Sequence, residues 1–111
     1  MIPEQLIRMI QKELTGAPAP LQFLNDPAAI ERVYLAAKPV VESSPEHQEF
    51  TSLVRRVTGE LGDYKPYAFV TNLLCVIHDA KNGPGKTPVT ESDVVQAVAA
   101  NYVQNVEEAI Q

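Results

Sequence analysis

Three stretches of this chain join a helix-capping side chain to a proline or a returning acid: Asn25-Asp26-Pro27, Ser44-Pro45-Glu46 and Thr90-Glu91-Ser92-Asp93. Asp, Ser and Thr oxygens accept from the free N–H groups of a helix's first turn, and proline is preorganised for the first helical position. The third stretch has capping-box form, with Thr90 as cap and Asp93 returning the bond near the positive helix end. Between these starts the apolar residues recur every three or four positions, as on a helix with one buried side. Gly16 and Gly62 supply stops. This punctuation predicts an all-α fold, a compact bundle of about five helices near 3–15, 27–42, 45–61, 66–80 and 91–110.

Each segment carries its own stripe. Leu6, Ile7, Ile10 and Leu14 line the first, with Glu4, Arg8 and Lys12 at four-residue spacing on its outer face. Gly16-Ala17-Pro18-Ala19-Pro20 follows as a stiff, extended connector. The second stripe is Ile30, Val33, Tyr34, Ala37 and Val41, with Pro39 inside the run, where a kink or an early end is expected. The third, Phe50, Leu53, Val54, Val57 and Leu61, is the cleanest amphipathic pattern. The fourth helix is apolar around much of its circumference (Phe69, Val70, Leu73, Leu74, Cys75, Val76, Ile77), which predicts a central helix with the third and fifth packed on it. Leu73–Ile77 also has the length of a buried strand, but nothing else in the chain offers it a partner. In the fifth, Val95, Ala99, Tyr102, Val106 and Ala109 form a helix-pairing seam, widened by Val94, Val98, Val103 and Ile110.

At 111 residues, 45% hydrophobic and 21% charged, the chain has the size and composition of one globular domain spanning 1–111. Cys75 is the only cysteine, so no intrachain disulfide is expected, and there is no N-x-Ser/Thr sequon. The N-terminus lacks a signal-peptide pattern and no apolar run reaches membrane-spanning length, so a cytoplasmic protein with no membrane partner is expected. The formal charge of -5 argues against generic nucleic-acid binding, which draws on Lys and Arg. The acidity is concentrated at the end: residues 87–111 hold four acids and no base.

Several patterns approach a chemical motif. Residues Ala80 to Thr87 fit the loose A/G-x4-G-K-S/T phosphate-loop form, but that loop needs a strand before it and a helix directly after it. Here a helix precedes it, Pro88 follows, and the next helix starts only near Thr90. Cys75 and His78 are spaced to share a helix face, yet His47 is the only other histidine and no second ligand pair completes a metal site. No metal, cofactor or catalytic residue is therefore assigned. Arg55-Arg56, with Lys65, Tyr64 and Tyr67, marks a possible anion contact.

The run Lys86-Thr87-Pro88-Val89-Thr90-Glu91-Ser92-Asp93-Val94-Val95-Gln96-Ala97 resembles the loop leading into the last helix of histone-fold proteins, and similar helix starts occur in ATPase lid domains. The resemblance covers a dozen residues and implies a histone-like dimerisation module preceded by a long central helix, whereas Gly62 and Pro66 confine the fourth helix to a short one.

Together these patterns predict a non-catalytic interaction or assembly domain, homo-oligomeric or an accessory subunit. Its expected contact is the broad stripe of the fifth helix: Val95, Ala99, Tyr102, Val103 and Val106. Two alternatives are a regulatory domain with a weak nucleic-acid contact through Arg55, Arg56 and Lys65, and a small-molecule pocket between the third and fourth helices using Tyr64, Tyr67 and His78.

Overall fold

The three capping signals act as starts in the computed structural model, which describes residues 2–58, 66–83 and 88–110. Asp26 Oδ1 accepts from the Ala28 amide at 3.0 Å, Ser44 Oγ from the His47 amide at 3.2 Å, and Thr90 Oγ1 from the Asp93 amide at 3.0 Å. The return bond of the third box reaches one residue further back than the usual pattern, from the Val89 amide to Asp93 Oδ2. The elements are α1 (Glu4–Glu13), a 3-10 helix (Ala19–Asn25), α2 (Pro27–Glu42), α3 (Pro45–Thr58), α4 (Pro66–Asn82) and α5 (Glu91–Ile110). There is no strand among the described residues, and Leu73–Ile77 lies inside α4. The fold is all-α, as the punctuation predicts. Gly62, the expected stop of α3, lies outside the described residues.

Two local expectations are corrected. The connector is extended only up to Pro18, after which the chain turns into the 3-10 helix. Leu21 and Leu24, three residues apart, fall on the same side of a three-residue-per-turn helix, and both are fully buried. Pro20 sits in the first turn, where its missing donor costs nothing. Pro39 does not end α2, which continues to Glu42 with the Ser43 amide bonded to the Pro39 carbonyl. Pro39 faces solvent, so water can serve the carbonyl that its missing N–H leaves unpaired.

The arrangement of helices also differs from the expectation of a central α4. The shared element is α5, which packs on α2, α4 and α3, while α4 packs chiefly on α5 and α1. The α5 stripe explains this. Val94, Val98, Ala99, Tyr102 and Val106 are buried and spread over a wide arc, so one helix meets three neighbours. α2 contributes Ile30, Val33, Tyr34, Ala37 and Val41, and Tyr34 meets Phe69 of α4 edge-on, ring centroids 5.2 Å apart. The Lys81 ammonium donates to the Glu13 carbonyl at 3.1 Å, tying the end of α4 to the last turn of α1.

α3 lies at the periphery. Phe50, Leu53 and Val54 are half-buried and Val57 is 76% exposed, because α3 packs mainly on one helix, α5, and touches α2 near their shared turn. Leu61 lies outside the described residues. α4 spans 17 residues, short of the long central helix implied by the histone-like run.

Candidate interaction surface

α2 is apolar on both sides. Between Val33 and Val41 its one charge is Lys38. The inner stripe enters the core, and the residues between its members, Leu35, Ala36, Pro39 and Val40, all face solvent. Leu35 is 56% and Val40 50% exposed. Positions 35, 36, 39 and 40 are neighbours on a helix surface, so they form one continuous patch. Met9 on α1, Val57 on α3 and Val89 just before α5 are the other large exposed apolar side chains among the described residues, one to a segment, as scattered surface hydrophobics commonly are.

Opposite charges flank this patch along the helix. On the N-terminal side, Arg32 Nε lies 3.2 Å from Glu91 Oε1 at the start of α5. On the C-terminal side, Glu42 lies 4.0 Å from Lys38. Both pairs are partly exposed to water, so each contributes at most about 1 kcal/mol and can rearrange.

Of the α5 residues expected to meet a partner, Ala99, Tyr102 and Val106 are buried and Val95 and Val103 half-buried within the chain itself. The breadth of that stripe is accounted for by α2, α3 and α4. The residues that do face outward in numbers, on α2, were legible as the near-absence of charge from Val33 to Val41.

Arg55 and Arg56 are exposed at the end of α3 and bond to no described residue. Lys65, Tyr64 and the Tyr67 side chain lie outside what the structure describes, as does the loop at 84–87. Cys75 and His78 border an open groove with Glu13, Leu74 and Asp79, where His78 Nδ1 is 3.8 Å from an Asp79 oxygen. Among the described residues no three His, Cys, Asp or Glu side chains are placed to hold a metal ion. A second open groove, about 600 Å³, runs between the starts of α1 and α2, lined by Ile2, Pro3, Ile7, Pro27 and two glutamates. No helix among the described residues is long and apolar enough to cross a membrane.

A polar contact between described residues joins α3 to α5. His47 Nδ1 and the Tyr102 hydroxyl are 2.7 Å apart. Burial holds the imidazole below its ordinary 6.5, partly offset by Glu42, and pushes the Tyr102 hydroxyl up. With the imidazole neutral and its proton on Nε2, the Tyr102 hydroxyl donates a hydrogen bond to Nδ1.

Comparison of the chain with protein-family models, with curated proteins and with solved structures gives no match.

Proposed function

We propose that this chain is a non-catalytic interaction and assembly domain whose contact surface is the outer face of α2, and that it works in the cytoplasm. The observation that carries the reading is the patch of Leu35, Ala36, Pro39 and Val40, apolar and exposed on one face. Leaving Leu35 and Val40 in water, at opposite corners of a patch completed by Ala36 and Pro39, costs solvation free energy that a partner would recover, at roughly 25 cal/mol for each Å² covered. The cytoplasmic setting is supported by the lone cysteine.

The test is the native size of the chain in extracts of the cells that make it. Leu35→Glu/Val40→Glu changes two outward side chains and leaves the inner stripe of α2 intact, so helical content should be unchanged. Wild-type chain is expected to run well above its 12.2 kDa, and the double variant at monomer size. Wild-type chain running at monomer size both in extracts and, when purified, at up to about millimolar concentration would sink the proposal.

A further inference from the structure

We infer that the occupant of the α2 face is a second copy of this chain, with the two α2 helices packed antiparallel about a two-fold axis beside Ala37. The inference rests on the reading of α2 as the contact surface and adds the partner and the orientation.

Its basis is the order of residues along the exposed face. From the N-terminal end the face presents Arg32, then Leu35 and Ala36, then Pro39 and Val40, then Ser43, with Glu42 beside it on the Leu35 edge. The apolar residues centre between positions 37 and 38, and the opposite charges sit five residues to either side of position 37. A two-fold contact requires a surface complementary to itself. Reversing one helix against the other about position 37 sets Arg32 level with the partner subunit's Glu42, and Leu35 level with the partner subunit's Pro39. Ala36 and Val40 of each chain then lie on the same side of the seam. The charged contact occurs twice, once at each end. A parallel pairing would instead set Arg32 against Arg32 and Glu42 against Glu42.

The present partners of these charges do not oppose the exchange. Arg32 is bound to Glu91 and Glu42 to Lys38 through partly exposed pairs, which are weak and can be redirected. Ala36 and Pro39 are short enough to let the helix axes approach closely. A contact along one helix of 16 residues, about 24 Å long, lies at the small end of stable interfaces, so dissociation in the micromolar range or weaker is expected.

The experiment is sedimentation equilibrium of the purified chain up to about millimolar concentration, a range that detects weak dimers. Wild-type chain should dimerise. Arg32→Glu, and separately Glu42→Arg, should each weaken the dimer about tenfold, since each places like charges together at both ends. Arg32→Glu/Glu42→Arg should restore it, because the reversed charges again face each other. Thermal melting of each variant monitors the fold, since Arg32→Glu also loses Glu91. For orientation, Ala36→Cys in a Cys75→Ser background should be joined by a short thiol cross-linker and Ala28→Cys should not, as Ala28 lies far from the axis. A strict monomer, a dimer indifferent to both charge reversals, or cross-linking at both cysteines would overturn the inference. If the purified chain is monomeric while the complex in extracts still depends on Leu35 and Val40, self-pairing fails and the α2 surface stands with a different partner.

Discussion

Asn72 is the one polar side chain buried among the described residues, at 4% exposure, and its bonds show how a small core fixes the relation of two helices. Its amide nitrogen donates to the Ala68 carbonyl at 2.7 Å, and its oxygen accepts from Asn105 Nδ2 at 2.6 Å. The first bond holds the rotamer within α4; the second reaches α5. Apolar surfaces tolerate a slide of one helix along another, since burial has no direction, whereas the Asn72–Asn105 bond is met in one register only. Asn72→Ala removes the interhelical bond and opens a small void. It should lower the unfolding free energy by about 1–3 kcal/mol, read as a lower urea midpoint. An unchanged midpoint would mean that α4 and α5 are held in register by packing alone.

At the scale of an element, α2 contains its own contradiction. Proline within a helix removes one hydrogen bond and crowds the preceding turn, a cost of about 3 kcal/mol in an ordinary interior. Pro39 nevertheless sits inside α2 on its outer face. Pro39→Ala should therefore stabilise the folded chain, by about 1–3 kcal/mol once the looser unfolded chain is allowed for. The check is the same urea titration. No gain would mean that α2 has already relaxed around the ring.

The same helix shows what local sequence can and cannot convey. The starts at Asp26, Ser44 and Thr90 were legible because a cap and its amide lie within three residues of each other. The inner stripe of α2 was legible because all five of its expected members share one side. The 3-10 helix was missed because Pro18 and Pro20 look alike in sequence, and only the burial of Leu21 and Leu24 separates an extended proline from one in a helical first turn. Pro39 pointed to a kink or an early end because its damage is local; the early end does not occur because the packing of Val41 beyond it is not local. The central place of α5 over α4 was hidden for a related reason. Apolar content reports how much surface a helix buries; how many neighbours share it depends on the chain's path. The outward patch on α2 is written in the sequence as a near-absence of charge from Val33 to Val41, but the same stretch carries the inward stripe, and apolar residues alone do not say which side faces water.

Over the whole molecule, packing is graded from α5 outward, and the gradation predicts an order of opening. α5 touches α2, α3 and α4, whereas α3 leans mainly on α5 and exposes Val57. Segments with few buried contacts open at lower free energy than those at the core, so α3 amides should exchange with solvent well before those of α4 and α5. The His47–Tyr102 contact makes the opening of α3 depend on pH. Burial depresses the His47 pKa in the closed state, with Glu42 a smaller opposing influence, so the open state binds a proton more readily. The contact is at full strength above the ordinary imidazole value of 6.5 and weakens as pH falls below it, through the depressed value of the closed state. Hydrogen exchange at pH 7.5 and pH 5, corrected for the intrinsic rate, should show α3 losing protection relative to α5 at the lower pH. His47→Gln, which carries no titratable proton in that range, should flatten the difference. Equal protection of α3 and α5 at both pH values would remove the graded picture, and a difference that survives His47→Gln would assign the pH dependence to another group.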